Sequence, residues 1–389
     1  MRSVNESYTQ FLQEREAQSL KRNLVPLQHL NAREVALGGK TFLNFCGNDY
    51  LGLSFDPRLK ERATSWMNTH GNGAGASRLV TGNIDAYQDL EAKLAEFKGF
   101  EAALVMVSGY QTNASVLPAL FDKSVLGAEP LIFSDKYIHA SMHAGCIGFR
   151  QIRFAHNDMA HLESLLEKHQ DLDQPKFILS ESVFSMDGDI APLEALYALR
   201  DKHNAFLVID EAHATGVMGS AGSGLAHKAD LVIGTFGKAM GCFGAYVACS
   251  SLMKEYLVNK CGGIIYATGL PPMVLGAIDA SLDIALKMNE ERAHLRALYK
   301  RFKDEAEGMG YTCGATSSQI VPILLHEAQE ALDLMESFKD RGIWVSAIRP
   351  PTVPKGSSRL RFTFSAAHQQ ADLDLILNIL SDQKGRYAA

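Results

Sequence analysis

Long apolar runs are missing from this 389-residue chain. Nothing approaches the roughly 18 to 20 successive apolar residues that a membrane-crossing helix needs. The first residues, Met1 to Arg22, are polar and charged and hold no apolar signal core. A cytoplasmic protein without a membrane role is therefore expected. Cysteine is sparse too. Cys46, Cys146, Cys242, Cys249, Cys261 and Cys313 are scattered, and no two form a C-x-x-C pair. That argues against a disulfide framework or a zinc site and predicts reduced, mostly buried thiols. No metal is expected. Lys/Arg-rich runs are absent and the net charge is −6, so the chain carries no electrostatic footprint for nucleic acid. No internal repeat or low-complexity tract interrupts it.

The composition, 47% hydrophobic and 21% charged, suits a globular protein with a large core. A helical pattern covers 6–22, with Tyr8, Phe11, Leu12 and Leu20 among polar residues. A short strand at 41–45 leads into Cys46-Gly47-Asn48-Asp49-Tyr50-Leu51-Gly52. Apolar runs at 103–107, 130–133, 177–179, 206–209, 231–233 and 245–248 read as buried strands, and amphipathic segments at 86–97, 162–169 and 193–203 read as helices between them. Buried strands alternating with helices predict an α/β fold whose mainly parallel sheet is covered on both faces. After Pro271-Pro272 the pattern changes. A long helical stretch, 273–309, precedes a smaller α/β set with strands at 320–325, 344–348 and 359–364 and helices at 328–340 and 370–381. Three segments are expected: 1–46 with a helix and short strands, 47–280 as a large cofactor-binding domain, and 281–389 as a small C-terminal domain.

In open α/β sheets, ligands sit at the carboxyl ends of the strands, and the chemistry-bearing residues cluster there. Lys238 lies in Thr235-Phe236-Gly237-Lys238, just after a strand. Asp210 ends another strand, and His213 stands three residues beyond it. Singly, each has a bland explanation, such as a snorkelling surface lysine or a helix-capping aspartate. Together they are the parts needed to bind pyridoxal 5'-phosphate (PLP): a lysine for the cofactor aldehyde and an aspartate for the pyridine nitrogen. Ser108-Gly109-Tyr110-Gln111 follows a strand and opens a helix, a setting in which backbone N–H groups meet a phosphate. His139 follows the next strand and suits stacking on a flat ring. Ser185 lies in the turn-forming run Phe184-Ser185-Met186-Asp187-Gly188-Asp189. Arg349 ends a strand before Pro350-Pro351, where a stiff loop aims a guanidinium at a carboxylate. Two glycine-rich motifs fail their context tests. The 71–77 stretch follows a helix rather than a strand, and the sequence around Lys238 lacks the glycine and Ser/Thr of a Walker A loop.

These residues together resemble the α-oxoamine synthases, PLP-dependent acyltransferases of fold-type I. The resemblance covers nearly the whole chain. It rests on 47–53, on Ala76-Ser77-Arg78-Leu79-Val80-Thr81-Gly82, on 184–189, on Asp210-Glu211-Ala212-His213-Ala214-Thr215-Gly216 and on Thr235-Phe236-Gly237-Lys238. The tail from Ala347 to Pro354, with Arg359-Leu360-Arg361 and Ala366-Ala367-His368, is most similar to the biotin-pathway branch. That branch condenses L-alanine with a pimeloyl thioester of coenzyme A or a carrier protein, releasing carbon dioxide.

The resemblance implies a large, mainly parallel seven-stranded sheet domain with a smaller C-terminal α/β domain. It implies a homodimer with the active site at the interface. Lys238 would hold PLP and move the substrate α-proton, and Asp210 would keep the ring nitrogen protonated. His213 and Ser185 would meet the ring hydroxyl side, and His139 would stack on the ring. Gly109, Tyr110 and Thr235 would take the phosphate, with Thr268 from the second subunit. Asn48, Arg349 and Thr352 would contact substrate, together with Lys21 or Arg22, a choice the sequence leaves open. Tyr87 departs from the pattern, since relatives commonly have histidine there. A sister branch joins glycine to acetyl-CoA. A non-catalytic subunit is a further alternative, against which the joint retention of Lys238, Asp210 and His213 argues.

Overall fold

The computed structural model describes residues 3–18 and 20–387. The expected segments 1–46 and 281–389 therefore include residues 1, 2, 19, 388 and 389, which lie outside the described residues. Helix α1, Val4–Ala17, starts in a capping box: Ser3 Oγ accepts from Glu6 N–H, and the Glu6 carboxylate accepts from Ser3 N–H. It ends five residues short of the predicted 22. None of its residues is buried, so no packing favours further turns, and the N–H groups of Leu20 and Lys21 close onto Arg15 O.

Strands β1 (Gln28–His29), β2 (Glu34–Leu37) and β3 (Lys40–Asn44) form an antiparallel ribbon. Seven strands then build the main sheet: β4 (Ala102–Met106), β5 (Leu131–Asp135), β6 (Gln151–Phe154), β7 (Lys176–Glu181), β8 (Ala205–Asp210), β9 (Leu231–Thr235) and β10 (Ala245–Cys249). Their order is β4-β10-β9-β8-β7-β5-β6, with only β10 antiparallel to its neighbours. Side-chain alternation divides the core between the two faces. Val105, Ile178, Leu207, Ile209 and Val232 pack on one, and Leu104, Leu179, Val208, Leu231 and Ile233 on the other. Strand β6, Gln-Ile-Arg-Phe, has no apolar run and was not predicted. It is the outer strand beside β5, where polar residues are tolerated and useful against edge pairing.

The predicted long helix 273–309 is two helices, Pro272–Ala285 and Asn289–Gly308. Arg292 stabilises the break, because its Nη1 donates to Ala285 O at 2.8 Å and its Nη2 to Asn289 Oδ1 at 2.8 Å. The Ala285 carbonyl, which also accepts from Met288 N–H at 3.2 Å, is thereby tied to the second helix. The predicted strand 344–348 is also divided. Strand β12, Ile343–Trp344, pairs parallel to β3, whereas β13, Ser346–Ile348, joins β11 (Ile320–Leu324) and β14 (Arg359–Thr363) in a three-stranded sheet of order β11-β14-β13. The N-terminal ribbon is thereby built into the C-terminal unit, and Phe45 packs edge-on against Phe364. No helix among the described residues is long and apolar enough to cross a membrane. All six cysteines are free thiols.

His368 locks this junction. It is buried, stacks on Phe45 at 4.1 Å, accepts from Ser365 N–H at Nδ1 and donates from Nε2 to Asn44 O. Burial lowers its pKa from 6.5 to about 4. The unfolded chain therefore takes up a proton that the folded chain refuses. This contribution to stability is complete above pH 6.5 and declines as pH falls from 6.5 towards 4. Thermal unfolding across that window should show the decline, and His368→Gln should flatten it. Parallel profiles for the two proteins would assign the acid sensitivity to other groups.

Candidate active site

Strands β5, β7, β8 and β9 run parallel, so their carboxyl ends bring Asp135, Glu181, Asp210 and Thr235 to one rim. A cavity of about 200 Å³ opens there, lined by Gly109, Tyr110, Asn113, His139, Glu181, Asp210, His213, Thr235 and Lys238, among others. The structure thus brings together seven of the sequence-predicted residues.

Lys238 Nζ lies 2.8 Å from His213 Nε2. His213 Nδ1 lies 2.7 Å from the Tyr50 hydroxyl, which donates to Asn48 Oδ1 at 2.9 Å. Because the hydroxyl gives its one proton to Asn48, His213 donates from Nδ1 and accepts from Lys238 at Nε2. Burial holds His213 well below the usual histidine pKa, with the Lys238 charge adding to the effect. Burial also brings Lys238 down to about 8, against the opposing pull of Asp210 and Glu181. Its amine can therefore give and take a proton near neutrality.

Asp210 is fixed on both oxygens. Ala212 N–H donates to Oδ1 at 2.8 Å and Asn113 Nδ2 donates to Oδ2 at 2.7 Å. Asn113 also reaches Ser141 Oγ at 3.0 Å, which lies 2.7 Å from His139 Nδ1. Since His139 Nδ1 also accepts from Ser141 N–H, its ring proton sits on Nε2. A continuous chain, His139–Ser141–Asn113–Asp210, thus sets His139 relative to the buried carboxylate. Behind Asp210, Glu211 forms a fully buried ion pair with Lys98 at 2.6 Å. Gly224 faces that pair at φ 98°, where a Cβ would collide with Glu211 Oε2.

His139 also lines a second, outer cavity of about 560 Å³, walled by residues 136–140, His143, Phe184 to Asp187 and Pro351 to Pro354, with Arg22 and Arg359. Ser185 belongs to this wall, and its carbonyl accepts from Arg361 Nε at 2.7 Å. The structure separates the two N-terminal cations. Lys21 pairs with Glu16 at 3.0 Å, whereas Arg22 reaches Thr352 Oγ1 at 3.5 Å at the outer cavity. Arg349 follows β13, half-buried, and lines neither cavity. Thr268 is exposed in the same chain, bridged to Ser77 in a niche with Tyr87 and away from Lys238. Tyr87 is buried. Its hydroxyl accepts from Leu270 N–H at 2.9 Å, and the Arg78 guanidinium lies over its ring at 3.9 Å. It therefore braces the 268–270 segment.

A family model for class I and II aminotransferases matches residues 40–380. The chain belongs to this family. An 8-amino-7-oxononanoate synthase of Gluconacetobacter diazotrophicus is 50% identical over 370 residues, 93% of each chain. A serine palmitoyltransferase from S. paucimobilis, solved with a bound PLP–myriocin adduct, superimposes with a TM-score of 0.90 at 27% identity and 99% coverage of both chains. An 8-amino-7-oxononanoate synthase from Francisella tularensis gives 0.76 at 28% identity, covering 88% of this chain and 97% of that one.

The cofactor of this fold is PLP, and the inner cavity fits it. A half-buried lysine and two buried carboxyl groups, Asp210 and Glu181, line it together with two imidazoles. Two buried oxygens, Asn113 Oδ1 and Glu181 Oε1, have no partner in the protein, as expected of walls shaped for a polar ligand. Sequence reasoning missed Asn113, Ser141, Glu181 and Arg361. Only the last had a signal, as part of the Arg359-Leu360-Arg361 motif. Its charge acts on Lys238, His213 and Tyr50.

Proposed function

We propose that this protein condenses L-alanine with a pimeloyl thioester, on coenzyme A or a carrier protein, giving 8-amino-7-oxononanoate and carbon dioxide for biotin biosynthesis in the cytoplasm. The observation that carries the reading is a pair of neighbouring cavities that share His139 in their linings. A small inner one surrounds Lys238, a larger outer one suits an acyl chain, and His139 is the wall between them. The 50% identity to a synthase of that name supports the choice of reaction.

Lys238 would hold PLP covalently, with Asp210 at the ring nitrogen, His139 against the ring, His213 and Ser185 at the ring-hydroxyl side, and Gly109, Tyr110 and Thr235 at the phosphate. When bound, PLP supplies an electron sink for charge developing at the amino-acid α-carbon. The protein does the rest. The Lys238 amine removes and returns the α-proton at Nζ. Asp210 keeps a proton on the pyridine nitrogen, and its fixed oxygens spare reorganisation during reaction. His213 takes the hydrogen bond from the lysine and, through Tyr50, orders Asn48 near the amino acid. Arg349, on its proline-stiffened loop, and the buried Arg361, whose charge reaches Lys238, line neither cavity, and one of the two would meet the substrate carboxylate at its edge. Arg22 and Thr352 would receive the acyl donor. Thr268 is exposed and lines no part of its own inner cavity, which suits a homodimer in which it completes the partner's phosphate site.

The test is the visible absorption of the PLP-loaded protein while L-alanine or glycine is added, followed by pimeloyl-CoA, the pimeloyl carrier protein or acetyl-CoA. The expected result is a spectral change with alanine and thiol release only with a pimeloyl donor. A productive response to glycine and acetyl-CoA would overturn the assignment in favour of the sister reaction.

A further inference from the structure

Outside the catalytic pair, one histidine has both ring nitrogens committed to carboxylates. His156 follows β6. Its Nδ1 lies 2.9 Å from Asp135 Oδ1 and its Nε2 lies 2.8 Å from Asp189 Oδ2. A carboxylate oxygen only accepts, so both nitrogens must carry protons and the ring is an imidazolium. Both acids are buried, and together they raise the pKa of His156 from 6.5 to about 10 against the cost of burial. The charge is also flanked by rings, Phe184 edge-on at 4.4 Å and Tyr137 at 4.7 Å.

The two acids line neither cavity themselves, but each holds a segment that lines the outer one, 136–140 beside Asp135 and 184–187 beside Asp189. Asp135 ends β5 and accepts from Tyr137 N–H at 2.8 Å, so it sets the turn that carries Lys136, Tyr137 and Ile138. Asp189 holds the loop of Phe184 to Asp187, because its carbonyl accepts from Phe184 N–H at 3.0 Å. Asn157, in a left-handed conformation at φ 53°, repeats the bridge. Its N–H donates to Asp135 Oδ2 and its Nδ2 to Asp189 Oδ2. The cofactor side does not depend on this bridge, because the Ser141–Asn113–Asp210 chain holds His139 separately.

We propose that His156 is a positioning residue for the acyl donor: a permanently charged brace that sets the spacing between the His139 turn and the Phe184–Asp187 loop, and with it the seat of the thioester. The proposal rests on the reading of the outer cavity as the acyl site.

The test compares PLP-loaded wild type with His156→Gln, which retains a hydrogen-bond donor but no charge. The expected result is a KM for pimeloyl-CoA raised about tenfold or more. PLP affinity by absorbance titration and KM for alanine should stay within about threefold, since Lys238, Asp210 and the phosphate-side residues lie outside this bridge, His139 is held separately through Ser141, and of the braced loop only Ser185 is assigned to PLP. An unchanged acyl KM would overturn the proposal. So would equal losses in all three parameters, which indicate general destabilisation. If His156→Gln does not fold, Asp189→Asn removes one anchor and should give the same split to a smaller degree. Nitrogen-labelled histidine NMR of the loaded enzyme checks the charge. The His156 ring, identified by its loss in the variant, should stay doubly protonated through about pH 8, and titration near the ordinary value of about 6.5 would sink the brace. The groups facing it are Asp135, Asp189 and the Tyr137 ring, together with the neutral Asn157. A wild-type enzyme inactive with every acyl thioester would instead refute the proposed function and leave the NMR result standing.

Discussion

Lys238→Ala is expected to abolish turnover, with at least about a 10³-fold loss, because in the proposed reaction one side chain would serve both as the covalent anchor of PLP and as the carrier of the substrate α-proton. The structure supports the double role. The half-buried lysine lies beside His213, with its pKa brought down to about 8, so it can be a nucleophile and a base near neutral pH. The fold should survive, since the hydrogen-bond partner of Lys238 is a neutral imidazole and removing the amine relieves a buried charge of its desolvation cost. Borohydride reduction gives a readout independent of activity. In the wild type it should fix the cofactor on the peptide containing Lys238, and in the variant it should fix none. Substantial residual turnover, or cofactor trapped on another lysine, would remove Lys238 from its place in the mechanism.

Asp210→Asn should lower the catalytic rate by about 10²- to 10⁴-fold, the range seen when an essential proton-holding group is lost. An amide has nearly the same shape as the carboxylate but no charge to keep the pyridine nitrogen protonated, so the ring would draw electrons less strongly. The local structure explains why the effect should be electronic. Asp210 Oδ1 accepts from Ala212 N–H and Oδ2 from Asn113 Nδ2. An asparagine can retain only one of these bonds in its original sense. Its amide nitrogen would face a donor, but Asn113 can offer its unpartnered Oδ1 by turning over. The expected signature is near-normal PLP binding with slow α-proton exchange, followed by loss of deuterium from labelled alanine. Fast exchange in the variant would show that the ring nitrogen does not need this charge.

Much of the site is legible in the amino-acid sequence because the relevant spacing is local. An aspartate that closes an apolar run, a histidine three residues later and a lysine just beyond another run all fall at strand ends if the strands are parallel. Parallel pairing follows from buried runs separated by helices. The same reasoning locates Gly109, His139 and Thr235. It fails where pattern and partner part company. The polar edge strand β6 has no apolar run to betray it. The helix at 273–309 is interrupted at a carbonyl that Arg292 ties to the second helix, an event with no turn residue to announce it. The strand at 344–348 serves two sheets because β3 competes for its first residues.

The amino-acid sequence by itself determined the class of chemistry, the order of the strands' functional ends and the family resemblance, since these rest on residue type and on the periods of helix and strand. Tertiary structure alone decided which charges act. It put Arg22 at the outer cavity and left Lys21 to Glu16, brought Arg361 to the neighbourhood of Lys238, joined Asn113, and through it Ser141, to Asp210, placed Thr268 away from its own cavity, and sandwiched His156 between two buried acids. The physical reason is the same in each case. A side chain's charge state and partners depend on burial and on groups distant in sequence, and one-dimensional spacing carries neither.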